Sequence, residues 1–157
     1  MRVGPIADLK EWRKECLERI GDRKIVASIS GGKDSTAMAL LLKEAEIPFD
    51  SFFVDTGWEH EMTVQYVKEY LPQYIGPIRV LSRKEGGMTA IVRNKGYFPG
   101  AQYRYCTGML KLDPAREFMN SLEVEPVNAV GIRAQESARR AKYRWSSDWH
   151  TQWPFPR

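Results

Sequence analysis

The feature that most constrains this chain is an apolar run that passes over two adjacent glycines directly into a helical stretch. Residues 24–30 read KIVASIS, and their apolar and β-branched side chains predict a buried strand. Residues 35–46 are rich in helix formers. A strand that turns over glycines into a helix is typical of α/β folds built on a parallel sheet.

The rest of the chain repeats this alternation of strand and helix. Strands are predicted over 24–30, 49–54, 78–81 and 127–132, and helices over 6–20, 35–46, 59–71, 87–95 and 113–121. Asp113 is predicted to cap the last helix, with Pro114 at its first position. The predicted fold is therefore α/β: one three-layer, doubly wound domain with a mostly parallel sheet, whose ligands sit at the carboxyl ends of the strands.

Composition excludes several other classes of protein. The chain has 157 residues, of which 43% are apolar and 28% charged, so it is not disordered as a whole. No apolar stretch is long enough for a membrane span, and the N-terminus lacks the apolar core of a secretory signal, so a cytoplasmic location is expected. Cys16 and Cys106 are too few for a four-thiolate cluster, and no iron–sulfur cluster is expected.

The net charge of +4 lies entirely at the C-terminal end of the chain. Acidic and basic side chains cancel over residues 1–132, whereas residues 133–157 carry six basic and two acidic groups. We assign residues 1–142 to the α/β domain and 143–157 to a basic, aromatic tail that packs on the domain or on a partner. Such a tail suits an anionic partner, a second protomer or the bases of single-stranded nucleic acid; a solvated basic end is the simpler alternative.

The turn after the first strand has the composition of an anion-binding loop. Gly31 and Gly32 allow a tight turn with accessible N–H groups, and the helix behind them adds partial positive charge. Lys33 adds a full positive charge, and Ser30 and Ser35 add hydroxyl groups. Together these groups suit a phosphate or a pyrophosphate. A glycine-rich turn without a ligand is the alternative.

Asp34 is out of character in such a loop, because its carboxylate repels phosphate unless a cation lies between them. Mg²⁺ held by Asp34 and by substrate oxygens would resolve this, and capping of the helix is the other role open to it. The loop is not a Walker A motif, because position 27 is Ala where that motif needs Gly.

The second strand ends in Asp55, Thr56 and Gly57, followed by Glu59. An acidic residue beside a phosphate loop often contacts ribose or adenine groups, and a capped loop is the alternative. His60 is expected at the start of a helix rather than as a metal ligand, since no partner lies at ligand spacing.

Two later segments complete the set of candidate residues. Cys106 stands before Lys111, a cation suited to phosphate; Cys106 itself is either a packed side chain or a reactive thiol. The fourth strand ends in Gly131 and Arg133, and Arg139 follows; a glycine there would let a ligand approach, and the arginines could bind an anion through two parallel hydrogen bonds. A basic surface helix is the alternative.

The sequence SGGKDS resembles the pyrophosphate loop (PP-loop) of the N-type ATP pyrophosphatases, also called the adenine nucleotide α-hydrolase superfamily. With the turn at Asp55–Gly57, the Cys106–Lys111 segment and GIRxxESxxR, it resembles the phosphoadenosine phosphosulfate (PAPS) reductase-like branch over residues 24–142. This resemblance implies a domain that binds ATP or PAPS. Some members reduce PAPS or adenylyl sulfate, and relatives use ATP to adenylate a substrate and release pyrophosphate, among them sulfur-transfer proteins of DNA phosphorothioation.

The resemblance also implies roles for individual residues. The catalytic candidates are Lys33, Asp34, Arg133 and Cys106, and Asp34 is the candidate for Mg²⁺. The nucleotide-binding candidates are Ser30, Gly31, Gly32, Lys33, Asp34, Ser35, Asp55, Thr56, Gly57, Lys111, Gly131, Arg133 and Arg139. The Glu-Cys-Gly-Leu-His segment of sulfonucleotide reductases is not present, which leaves Cys106 as the thiol for a reductase, because Cys16 lies on an apolar helix face.

Two classes of function follow from these motifs. The first is an enzyme acting on an adenine nucleotide, either by nucleotidyl transfer with pyrophosphate release or by sulfonucleotide reduction. The second is a non-catalytic module that binds a nucleotide, a nucleic acid or a protein partner. SGGKDS together with GIRxxESxxR favours the enzyme.

Overall fold

The computed structural model of the protein describes residues 8–133 together with Gln135 and Ala138. In chain order the elements are α1 (Leu9–Ile20), β1 (Lys24–Ile29), α2 (Lys33–Glu44), β2 (Asp50–Val54), α3 (Glu61–Gln65), a π-helical segment (Tyr66–Tyr70), α4 (Pro72–Ile75), β3 (Ile78–Leu81), α5 (Met88–Lys95), a second π-helical segment (Thr107–Leu112), α6 (Asp113–Asn120) and β4 (Pro126–Val130). No helix of the described part is long and apolar enough to cross a membrane.

The four strands form one sheet in the order β3-β2-β1-β4, and every neighbouring pair is parallel. The chain moves outward from β1 through β2 to β3 and then returns to the other side of β1 with β4. This confirms the predicted doubly wound α/β fold. The direction of winding reverses between β1 and β4, and in such sheets the crevice at the reversal is where ligands bind.

Helices cover both faces of the sheet, as buried apolar strands require. On one face, α1, α2 and the helical run from α3 to α4 enclose a cluster that includes Cys16, Ala27, Leu42, Phe53 and Val67. On the other face, Phe118 and Met119 of α6 pack on Val26 and Phe52, and the rings of Phe52 and Phe118 lie 5.6 Å apart. The two layers hold the strand ends in fixed register.

The helix predicted over 35–46 lies two residues earlier, at Lys33–Glu44, and two further predicted helices differ more clearly from the structure. The helix predicted over 59–71 begins at Glu61 and is followed by the π-helical segment and α4, so that the helical run extends to Ile75. The last predicted helix does not begin at Asp113, because the chain is already helical through the Thr107–Leu112 segment. Asp113 is therefore not an N-cap; its carboxylate accepts a hydrogen bond from Arg116 at 2.9 Å. The prediction failed because Pro114 is tolerated where one helical geometry passes into the next.

Several predicted features lie outside the described residues. They are Glu136, Ser137 and Arg139, together with the proposed boundary at residue 142 and the tail at 143–157.

Candidate functional site

The loop between β1 and α2 is shaped by close packing against the next helical layer. Gly31 has a left-handed backbone, with φ of 77°, and a Cβ atom there would lie 2.7 Å from Cγ2 of Thr63. Such a contact is too short for any other side chain, so the position requires glycine for both backbone angle and space. The turn therefore lies directly on the helical run that follows β2.

Two serine hydroxyls hold the loop from within. Oγ of Ser35 accepts a hydrogen bond from the Ser30 N–H group at 3.1 Å and donates one to the Gly32 carbonyl at 3.0 Å. Oγ of Ser30 lies 3.0 Å from Oγ of Ser35 and accepts the Gly32 N–H group at 3.3 Å. Ser35 is only 4% exposed, whereas Ser30 and Gly32 lie at the surface. Ser35 thus supports the loop, and its direct contact with a ligand stays a prediction.

Lys33 begins α2 and is exposed. Within residues 8–133 it makes no ion pair, and no described side chain caps the helix there. The first turn of a helix carries unpaired N–H groups and partial positive charge. An anion bound at such a point would pair with the lysine and accept hydrogen bonds from the unpaired N–H groups.

Asp34 has a cationic partner that the sequence order does not reveal. Its Oδ2 accepts a hydrogen bond from Nε of Arg133 at 2.8 Å, across 99 residues of chain. This contact lies in the crevice between β1 and β4. Arg133 therefore offsets the negative charge of Asp34, the residue whose charge is out of character for the predicted anion-binding loop.

Gly131 brings these two segments together. A Cβ atom at Gly131 would meet the carbonyl group of Asp34 and lie 2.6 Å from the backbone nitrogen of Ser35. The first turn of α2 thus occupies the space that a side chain at Gly131 would need. This close backbone approach sets the position of Arg133; access of a ligand at Gly131 stays a prediction.

The turn after β2 forms a second polar group beside the first. Oδ1 of Asp55 accepts a hydrogen bond from the Gly57 N–H group at 3.0 Å, and its Oδ2 lies 3.3 Å from Nζ of Lys68. Lys68 was not identified from the sequence, because its place in the middle of a helix carries no signal of this contact. Gly57 is left-handed, with φ of 70°. Both carboxylate oxygens of Asp55 therefore have partners within the protein, and contact of Asp55 with a nucleoside stays a prediction.

Glu59 links this turn to the third candidate segment. Its Oε1 accepts a hydrogen bond from the hydroxyl of buried Thr56 at 2.9 Å and lies 3.8 Å from Nζ of Lys111. Lys111 therefore lies beside the turn after β2, and its predicted contact with a phosphate stays a prediction. His60 caps α3, with Nδ1 accepting the Met62 N–H group, which agrees with its expected place at a helix start.

The two cysteines lie in different environments. Cys16 is 1% exposed, and burial raises the pKa of its thiol to about 11, so it is a poor nucleophile. Cys106 is half-buried and immediately precedes the Thr107–Leu112 segment. The structure thus leaves Cys106 as the more accessible thiol.

Metal ligands are sparse in the described part of the chain. No group of three or more His, Cys, Asp or Glu side chains is arranged there to hold an ion. Asp34 alone would fit the way proteins hold Mg²⁺, through one or two carboxylates with the remaining ligands from substrate phosphates and water. Its contact with Arg133 competes for the same oxygen.

A groove of about 870 Å³ lies elsewhere, between the end of β3 and α6. Its charged side chains pair with one another: Arg83 with Glu85 at 3.1 Å, Lys84 with Glu117 at 3.6 Å and Arg116 with Asp113 at 2.9 Å. None of the residues from Ser30 to Ser35 lines it.

Comparison with known proteins identifies the family of the chain. The phosphoadenosine phosphosulfate reductase domain family matches residues 24–153. The uncharacterized protein MJ0066 of Methanocaldococcus jannaschii is 32% identical over 130 residues, covering 82% of this chain and 26% of that protein. An uncharacterized 37.8 kDa protein of Escherichia phage 186 is 31% identical, covering 78% of this chain and 52% of its own length.

A more distant similarity reaches an enzyme of another name. One subunit of the glutamine-hydrolysing GMP synthase of Saccharolobus solfataricus is 29% identical over 85 residues, covering 52% of this chain and 22% of its own length. The chain thus spans between about a fifth and about half of the length of these relatives. The chain belongs to the PAPS reductase domain family, within the PP-loop superfamily of adenine nucleotide α-hydrolases.

Proposed function

We propose that the crevice at the ends of β1 and β4 binds the phosphates of an adenine nucleotide and that the protein catalyses attack on the α-phosphate of ATP. The observation that carries this proposal is Lys33, an exposed cation without an ion pair among the described residues, at the uncapped start of α2. The β- and γ-phosphates would lie over Gly31 and Gly32, against the helix N-terminus. Asp55 would face the nucleoside from the end of β2.

In the proposed reaction, a nucleophilic atom of the acceptor forms a bond to the α-phosphorus. The bond from that phosphorus to the bridging oxygen breaks, and pyrophosphate leaves with the electron pair. Any proton on the acceptor passes to solvent. Lys33 and the loop N–H groups would stabilise the charge that develops on the pyrophosphate. Arg133, held by Asp34, would face the α-phosphate or the acceptor's anionic part.

The experiment is a thermal-shift titration with ATP, AMP, adenylyl sulfate and PAPS, each with and without Mg²⁺. A ligand that binds the folded state at a hundredfold excess over its Kd adds about 2.7 kcal/mol, which raises the Tm of a domain of this size by about 5–10 °C. We expect ATP to give such a shift and Lys33→Ala to lose it. No shift with any nucleotide would overturn the proposal and favour a module completed by a partner.

The role of Mg²⁺ is tested with Asp34→Asn. If Asp34 binds the ion together with phosphate oxygens, this variant loses only the Mg²⁺-dependent part of the ATP shift. If Asp34 serves to hold Arg133, the variant loses the same amount with and without Mg²⁺.

Sulfonucleotide reduction is the second candidate, and the partial exposure of Cys106 favours it. The thiolate of Cys106 would attack the sulfur of PAPS, release adenosine 3′,5′-bisphosphate and form an S-sulfonate. A dithiol reductant would then reduce that S–S bond and release sulfite. This version predicts a larger, Mg²⁺-independent shift with PAPS and sulfite formation that Cys106→Ser abolishes. Wild-type rates in Cys106→Ser would exclude it.

A further inference from the structure

We propose that the segment after α5 binds single-stranded nucleic acid. The aromatic loop, defined here as residues 96–105, exposes Tyr97, Phe98 and Tyr103 to 47%, 68% and 65%. Three large rings at one surface loop are unusual for a protein that keeps its apolar groups inside. They form the kind of platform on which unpaired bases stack.

The loop has a defined fold of its own. The ring of Tyr97 meets those of Tyr103 and Tyr105 nearly at right angles, with centroids 6.1 and 5.6 Å apart. The hydroxyl of Tyr105 donates a hydrogen bond to the Tyr97 carbonyl, and Gly100 and Tyr103 exchange two backbone hydrogen bonds. Tyr97 thus anchors the loop, while Phe98 and Tyr103 stay largely open to solvent.

The charge of the surrounding segment selects the partner. Residues 86–112 contain no acidic side chain, but they contain Arg93, Lys95, Arg104 and Lys111. The first three are exposed, and none of them forms an ion pair within the described part of the chain. Cations of this kind bind phosphates, and arginine also stacks on rings. A repeating phosphate backbone with exposed bases satisfies the rings and the cations together.

Residues 86–112 contact the turn after β2 near both of their ends. The Met88 N–H group donates to the Thr56 carbonyl at 2.9 Å, and Nζ of Lys111 lies 3.8 Å from Oε1 of Glu59. The aromatic loop therefore lies between two flanking segments that both contact the edge of the candidate nucleotide site. A strand bound there would lie beside that site, although its binding does not require nucleotide turnover.

The test is fluorescence anisotropy with labelled DNA and RNA single strands of about 16 nucleotides, since comparable sites cover about 4–16 nucleotides. Duplex of the same sequence and free mononucleotide serve as competitors. We expect both single strands to bind, with affinity that falls as salt rises. Preference for duplex, or equal competition by mononucleotide, would overturn the proposal. A difference between DNA and RNA would identify the source of the strand.

Two sets of variants locate the site. Phe98→Ala with Tyr103→Ala should weaken binding by about 5-fold to 150-fold per ring, because each stacked base is lost. The matched control removes Tyr70 and Tyr74, which are 52% and 50% exposed on another helical run. Binding that is unchanged in the first pair, or equally weakened in the second, would overturn the assignment and move any binding elsewhere in the chain.

The cations are tested in the same way. Replacing Arg93, Lys95 and Arg104 by Gln should lower the salt slope by about 2, at about 0.7 per phosphate contact. Lys10→Gln, Lys14→Gln and Lys43→Gln remove the same charge from other exposed positions and should leave the slope nearly unchanged. The Phe98 and Tyr103 variants should keep the wild-type shift with ATP, so that failure of strand binding and failure of the nucleotide proposal are told apart.

Discussion

The crevice between β1 and β4 and the groove between β3 and α6 differ in how their charges are used. The groove is a wide cavity of about 870 Å³, and its arginines and lysine are paired with neighbouring carboxylates. At the crevice, by contrast, the exposed Lys33 stands at a helix start that has no side-chain cap. The proposal for phosphate therefore rests on charge and not on cavity size: among the described residues, Lys33 has no ion-pair partner, whereas the groove cations are paired.

The largest expected effect is on ATP affinity, and it is found by replacing one lysine in each of the two regions. Lys33→Ala should weaken ATP binding by about 10–100-fold, because a hydrogen bond to a charged group is worth about 1.5–3 kcal/mol. Lys84→Ala removes a groove lysine that pairs with Glu117 at the surface and should change the affinity by less than about twofold. Isothermal titration calorimetry measures both. Equal losses would mean that the nucleotide does not distinguish crevice from groove.

The crevice should also depend on the absence of a side chain at Gly131. Gly131→Ala would force the end of β4 away from the first turn of α2, at a cost of about 1–3 kcal/mol in the free energy of unfolding. Gly108→Ala is the matched control, because a Cβ atom there meets nothing within 4 Å. Urea unfolding measures the difference. A Gly131→Ala protein as stable as wild type would show that the approach of the two segments is looser than described.

The sequence predicted the local part of the crevice better than its long-range part. The strand, the glycine turn and the helix after it follow one another along the chain, so their propensities and spacing were sufficient. The partner of Asp34 is 99 residues away, and Lys68 meets Asp55 only because two layers pack together. Such contacts depend on topology, which composition and periodicity do not encode.

The same reasoning explains one contact that the sequence does not reveal and one detail in which sequence and structure differ. The close approach of Gly131 to the backbone of α2 is not visible in the sequence pattern, and the access of a ligand there stays a prediction. Capping rules place the start of the last helix at Asp113, although the chain is helical before it. The lack of acidic residues over 86–112 is visible in the sequence, but it is far less conspicuous than the basic C-terminal tail.

The buried thiol of Cys16 sets an upper pH limit for comparing ATP binding at the crevice and the groove, because the protein loses stability at high pH. Burial raises the pKa of Cys16 to about 11 from 9.0, so the folded state retains a proton that the unfolded state loses between those values. The contribution of the protonated Cys16 thiol to the free energy of unfolding is complete below pH 9 and is lost as the pH rises through 11. Between about pH 8.5 and about pH 10.5, the wild type should lose about 2 kcal/mol more than Cys16→Ala, measured by urea unfolding. Parallel pH profiles would contradict this.

The smallest effects concern the two arginines that pair with aspartates. Arg133→Lys and Arg116→Lys should each cost only about 0.2–1 kcal/mol of stability, because both pairs are partly exposed. Only Arg133→Lys should weaken ATP binding, since lysine cannot reproduce the planar hydrogen bonding of a guanidinium group in the crevice. An equal change in affinity for both variants would contradict the special place of Arg133.

The parallel pairing of β1 with β4 has a consequence for the order of folding. The two strands are about a hundred residues apart along the chain, and pairings of such separation form late, because a long loop must first be closed. Until β4 docks, Asp34 and Arg133 are parts of unconnected segments. On the ribosome, the glycine turn after β1 would therefore be synthesised early, but its contact with Arg133 would form only after β4 emerges, so that contact would report that the four described strands have assembled.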